Sequence, residues 1–213
     1  MTDEQRDRYP PYRIVTERLL VRCWNPRDAP LLKEAVDSSL EHLRPWMPWA
    51  AHEPQPVAEK VELLRRFRGN FDLGHDFVYG IFTPDESEVV GGSGLHTRVG
   101  DDAFEIGYWI RSDRTGQGLA TETSAALTRV ACELCGVDRV EIHVDPANET
   151  SCSIPRKLGY REEATLLRRL PPKEPGGRRR DVVIFTLLAQ DFAGSPSATA
   201  ELEAYDAAGN RLL

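Results

Sequence analysis

Apolar positions recur along the chain in two rhythms, and the sharpest change between them falls near its middle. Over 104–110 the residues alternate as in a strand, with Glu105, Gly107 and Trp109 on one face and Phe104, Ile106, Tyr108 and Ile110 on the other. The run Arg114-Thr115-Gly116-Gln117-Gly118 breaks that alternation. From Leu119 onward, Leu119, Thr123, Ala126, Leu127, Val130 and Leu134 recur at helical spacing and predict a long helix with one buried stripe.

The same rhythms organise the flanks. A first strand is expected over 16–24. Behind the cap and proline of Asn25-Pro26, the residues Leu31, Leu32, Ala35 and Val36 predict an amphipathic helix. A strong helix covers 57–71, with Val57, Val61, Leu64, Phe67 and Phe71 on one stripe. Strands follow over 77–82 and 89–97, joined by a Pro84-Asp85 turn, and with the central strand they predict an antiparallel meander. Beyond the long helix, 139–145 alternates again, then a loop from Pro146 leads to a short helix ending at Leu158. Pro155 is expected in that helix's first turn, where a missing N–H is harmless, and Gly159 supplies its stop. Residues 160–170 and 181–188 predict a closing strand pair.

Three stretches lack regular patterning. Residues 1–11 are expected to be a frayed leader, and 193–213 a linker-like tail with room for a small hairpin. Residues 38–56 contain prolines at 45, 48, 54 and 56, which preclude a long element, yet they carry His42, Trp46, Trp49 and His52. Aromatics on a proline-stiffened loop can line a pocket or cover a helix.

The glycine turn has chemistry of its own. A helix's first N–H groups are unpaired and carry partial positive charge, and glycine lets a bulky anion approach the backbone. Thr115 to Thr121 is therefore a candidate diphosphate cradle, comprising Thr115, Gly116, Gln117, Gly118, Leu119, Ala120 and Thr121. A Walker A loop is excluded because no Gly-Lys pair exists, and a dinucleotide fingerprint fails at Thr121, where its third small residue should stand.

The turn, within the string GYWIRSDRTGQGLATE, resembles motif A of the GNAT superfamily of N-acetyltransferases, with Thr115 replacing the leading Gln or Arg. The wider string, the opening TERLLVRCWNPRDAPLL and the segment HLRPWMPW are similar to its RimJ/RimL-type branch. Asn148 and Ser151, followed by Lys157-Leu158-Gly159-Tyr160, resemble motif B. The likeness spans about residues 12–192. It implies an α/β fold with a mixed, mostly antiparallel twisted sheet flanked by helices. It also implies acetyl-CoA as co-substrate, pantetheine pairing with backbone near Trp109, Ile110 and Arg111, a cofactor role for Asn148, and acceptor contacts from His42, Trp46 and Trp49. Ser151 is then the acid beside the sulfur. Glu105, a carboxylate in an otherwise apolar strand, is the expected general base.

Composition narrows the rest. A chain of 213 residues with 40% apolar content can bury a core as one domain, and its net charge of -7 argues against a general nucleic-acid binder. No apolar run approaches a membrane span and the N-terminus has no signal-peptide core, so the expectation is a cytoplasmic protein. Cys132-x-x-Cys135 ends the long helix instead of starting one, which favours packing over redox or metal chemistry, and no metal is expected. The acceptor is expected to be a primary amine. An α-amine, with pKa about 7.7–8.0, is partly neutral at pH 7, whereas freeing a lysine costs about 4 to 5 kcal/mol. One carboxylate base suits a protein or peptide N-terminus better. Small or antibiotic amines, another acyl-CoA, a non-catalytic acyl-CoA-binding module and a homodimer stay open.

Overall fold

A computed structural model describes residues 9–173 and 176–213. Its strands are β1 (Arg13–Val15), β2 (Leu20–Cys23), β3 (Phe77–Phe82), β4 (Val89–His96), β5 (Ala103–Ile110), β6 (Arg139–Val144), β7 (Arg161–Leu170), β8 (Arg180–Leu188) and β9 (Glu203–Tyr205). They form one sheet in the order β7-β8-β6-β5-β4-β3-β2-β1-β9. Only β5 and β6 pair in parallel, as the crossover through the long helix requires. This is the expected mixed, mostly antiparallel α/β architecture.

Both faces are covered, which is why the central strands are nearly continuous apolar runs. One face packs α4 (Leu119–Arg129) and α5 (Glu149–Lys157) against Tyr79, Ile81, Ile106, Val140 and Phe185. The other packs α1 (Ala29–Asp37) and α3 (Val57–Asp72) against Leu20, Phe82 and Val89. Short helices α2 (Leu40–Leu43) and α6 (Ala189–Phe192) complete the set.

Four local expectations are corrected. The strand expected over 16–24 is β2 alone, Leu20–Cys23, and it forms a hairpin with β1 at Arg13–Val15, because Thr16-Glu17-Arg18 turns the chain and the Thr16 N–H donates to Leu19 O at 3.0 Å. The long helix widens into a π turn over Val130–Leu134. Pro155 lies inside α5, at its seventh residue. Residues after Phe192 are no detached tail: β9 pairs with β1, and the buried Ser197 hydroxyl donates to Leu158 O. The small hairpin expected there exists as a bridge between Tyr205 and Arg211. Of the proposed leader, residues 1–8 lie outside the described residues, while Pro11 is buried and its carbonyl accepts from the Tyr79 hydroxyl at 2.8 Å.

Candidate active site

The site begins where two strands part. β5 and β6 are paired only from Ala103↔Arg139 to Glu105↔Glu141, and beyond Glu105 they diverge. The Arg111 N–H donates to Val90 O, so residues 107, 109 and 111 spend their backbone groups on β4. Alternation then directs those of Tyr108 and Ile110 toward the gap. The sequence named Trp109, Ile110 and Arg111 for this edge. The ladder keeps Ile110, adds Tyr108, and commits Trp109 and Arg111 elsewhere. The Arg111 guanidinium is also spoken for, paired with Glu34 and Asp113 at 3.0 and 2.7 Å.

A cavity of about 1370 Å³ occupies the gap and opens between the sheet and α3. Glu105, Trp109, Asn148, Ser151, Trp46 and Trp49 all line it, which brings together six residues picked from scattered motifs. His42 does not line it and is exposed on α2. The Trp109 ring lies on Gly92, where any Cβ would stand 2.5 Å from the indole nitrogen, and it meets Trp49 edge-on at 5.9 Å. The aromatic loop is pinned from two sides. Arg180 donates to Pro45 O at 3.2 Å and also pairs with Asp145, and the Lys173 ammonium sits 3.9 Å above the Trp46 ring.

On the opposite face stands the glycine turn. Gly116 and Gly118 take φ +74° and +80°, the left-handed region that favours glycine, and Gly118 caps α4. The first intrahelical bond runs from the Glu122 N–H to Gly118 O, leaving the N–H groups of Leu119, Ala120 and Thr121 without helical partners. Thr115 donates its hydroxyl to Ser112 O at 3.0 Å. A cation that touches the turn, and that sequence reasoning missed, is Arg18 of the β1–β2 turn. It donates to Gln117 O at 2.9 Å and pairs with Glu122 at 2.6 Å.

Ser151 is held by a helix defect. Asn148 caps α5, its side chain accepting from the Ser151 N–H at 3.2 Å. Pro155 has no N–H to offer the carbonyl four residues back, which belongs to Ser151. That oxygen instead accepts from the Tyr108 hydroxyl at 3.2 Å, and the two hydroxyls are 3.0 Å apart. Burial drives the Tyr108 phenol well above its ordinary range, so it stays protonated and serves as a fixed donor.

Glu105 is only 6% exposed. Burial raises its pKa, but two hydrogen bonds from Arg98 at 2.6 and 2.7 Å and the nearby His143 and Arg98 charges outweigh that and leave it lowered. A carboxylate so held is a weak proton acceptor. With the folded-state pKa below the unfolded value, its stabilisation is full above the unfolded pKa and is lost as pH falls through the folded one. Glu105→Gln is therefore expected to lower the urea midpoint at pH 7, with the gap to the wild type narrowing as pH falls below the unfolded carboxylate pKa, read by urea melts along that descent. Burial pushes Cys132 and Cys135 up to about 12, as befits packing thiols. Among the described residues no group of three or more metal-ligating side chains could hold an ion.

The family described as acetyltransferase (GNAT) domain matches residues 18–161 of this chain, which spans both the glycine turn and the parted strands. The chain belongs to the GNAT acetyltransferase family. It is an acetyl-CoA-dependent N-acetyltransferase. A curated relative, the [ribosomal protein uS5]-alanine N-acetyltransferase of Escherichia coli, is 28% identical over 163 residues, covering 74% of this chain and 82% of the relative. Among solved structures, Mycobacterium smegmatis RimJ in complex with CoA-disulfide superposes with a TM-score of 0.72 at 26% identity, covering 84% of this enzyme and 86% of RimJ. RimL, the ribosomal L7/L12 alpha-N-protein acetyltransferase in complex with coenzyme A, shares the fold, with a TM-score of 0.72 at 19% identity and coverage of 82% and 96%. This GNAT enzyme thus has a β5 edge that pairs with no strand beyond Glu105 and an α4 whose first N–H groups make no helical bond. No helix among the described residues is long and apolar enough to cross a membrane.

Proposed function

We propose that the enzyme acetylates the α-amine of a protein N-terminus, with a ribosomal protein as the acceptor class. The observation that carries this is the cavity between the parted strands and α3, whose lining includes Trp46, Trp49 and Trp109 together with Glu59 and Glu62. Aromatic surfaces with carboxylates among them suit a peptide that enters by a cationic end. The Escherichia coli relative named as a ribosomal-protein alanine N-acetyltransferase supports the same choice.

In this reading Gly116 to Thr121 grip the diphosphate with backbone N–H groups, aided by Arg18. The N–H and C=O groups of Tyr108 and Ile110 hold the pantetheine amides, and an N–H there steadies the carbonyl oxygen as charge develops. Asn148 shapes the α5 start, and Ser151, backed by Tyr108, returns a proton to the departing thiolate. Glu105, committed to Arg98, anchors charge at the floor of the cavity and leaves the base to another group.

A panel of acceptors tests this. With acetyl-CoA fixed, peptides with a free alanine N-terminus are expected to turn over at least about 10-fold faster than the same peptides N-blocked with an internal lysine, than polyamines and than aminoglycosides. Faster turnover of any small amine would replace the proposed acceptor class.

A further inference from the structure

Resting on that reading of the cavity, we propose that the Asp76–His96 pair is the base, with His96 Nε2 taking the proton from the acceptor's ammonium. His96 ends β4, directly opposite Glu105 in the register. Its Nδ1 lies 2.9 and 3.1 Å from the two oxygens of Asp76, just before β3. A ring nitrogen facing a carboxylate carries the hydrogen, so the lone pair falls on Nε2. Among the described residues no protein group hydrogen-bonds to Nε2.

The backbone makes room for this ring. A Cβ on Gly94 would stand 2.7 Å from Nε2, and one on Gly107 would stand 3.4 Å away. The imidazole therefore lies across two bare residues of β4 and β5, immediately beside the place where β5 leaves β6. His96, Asp76 and Gly107 all line the cavity.

The titratable groups nearest to His96 are occupied. Glu105 is held by Arg98. His143 is clamped between carboxylates, its Nε2 2.6 Å from Glu141 and its Nδ1 3.6 Å from Glu105. Asp145 is paired with Arg180, and His52 is exposed, with no hydrogen-bond partner among the described residues to aim it. Around His96 stand Asp76, Arg98, Glu105 and His143 from the sheet side, with Glu59, Glu62 and Arg66 of α3 across the cavity.

The proton count closes. The ammonium gives one proton to His96 Nε2 and becomes the free amine. Its nitrogen attacks the thioester carbonyl, the C–N bond forms and the C–S bond breaks. The second nitrogen proton reaches the thiolate by way of the Ser151 hydroxyl, and His96 releases its own to solvent. Ammonium and thioester become amide, free thiol and one proton.

The test uses His96→Gln and Asp76→Asn in the full chain with an alanine-initiated peptide, from about pH 6 to about pH 9. His96→Gln is expected to lose about 100-fold or more in kcat with the acetyl-CoA KM unchanged, and to lose the acid limb of kcat/KM. Asp76→Asn is expected to lose about 10-fold or more, because it frees the ring's tautomer. CoA binding by calorimetry reports that both variants are folded. A hydrazide acceptor, neutral across this range, should shrink the His96→Gln deficit to within about 5-fold, which a structural role would not do. Wild-type turnover with His96→Gln within about threefold of it at every pH overturns the base assignment alone, and an equal deficit with both acceptors does the same. A wild type inert toward every amine overturns the acceptor reading with it.

Discussion

Replacing Gly118 by valine is expected to weaken CoA binding by about 100-fold or more while the enzyme stays folded. Two effects are at work. Gly118 sits at φ +80°, where a residue with a Cβ is disfavoured by about 1–2 kcal/mol and a β-branched one by more. The added carbons also cover N–H groups that a diphosphate must reach. Within the protein itself a Cβ meets only the Arg18 guanidinium, at 3.6 Å, so the obstruction falls mainly on the ligand. The strain is present with and without ligand and is read as lost stability, whereas the obstruction weakens binding, and a 100-fold loss corresponds to about 3 kcal/mol. Gly209→Val is the control. Gly209 has φ +83° and no atom within 4 Å of its Cβ site, so it imposes similar strain far from the turn. Calorimetry on both variants should separate strain from obstruction. Wild-type affinity in Gly118→Val would mean that the diphosphate rests elsewhere.

The largest stability effect is expected at Glu53 and Lys60. Lys60 is 1% exposed and its ammonium pairs with Glu53, whose other oxygen accepts from the Gln55 N–H at 2.9 Å. Removing one partner strands a charge away from water, so Lys60→Met or Glu53→Leu should cost about 3–5 kcal/mol in urea melts. The double variant should recover most of that loss, because the attraction repays little more than the desolvation it required. A single-variant cost below about 1 kcal/mol would show the pair to be hydrated and replaceable. Both residues line the cavity below the aromatic loop, so the single variants should also raise the KM for peptide.

Much of the fold was legible because alternation and helical spacing leave marks within a few residues. β3 was read at its true bounds, and α3 to within one residue. What escaped were features set by contacts between distant segments. The stretch 16–24 reads as one strand until Thr16 is seen to bond back to Leu19 and to Glu122, which makes 16–18 a turn between β1 and β2. β9 is three residues long and is defined only by its partner. Pro155 looked like a helix start because sequence alone does not reveal that Tyr108 takes over the carbonyl it abandons.

The site shows the same division. Ser151, Glu105 and the glycine turn were visible as chemistry-bearing residues in telling local settings. Glu105's commitment to Arg98 was hidden, because the two meet only once β4 turns back into β5. His96 drew no notice as a single histidine ending a strand. Its relation to Asp76 spans a 20-residue separation that only the β3–β4 pairing closes.

The pairing of β1 with β9 ties the order of synthesis to the order of folding. β1 is made before the other described strands and waits, one edge bare, until β9 has been made. Joining them closes a loop that contains all the other described strands, an entropic cost that favours late closure. Chains released early would therefore carry the glycine turn and the cavity but an unfinished sheet margin, sticky toward their own kind.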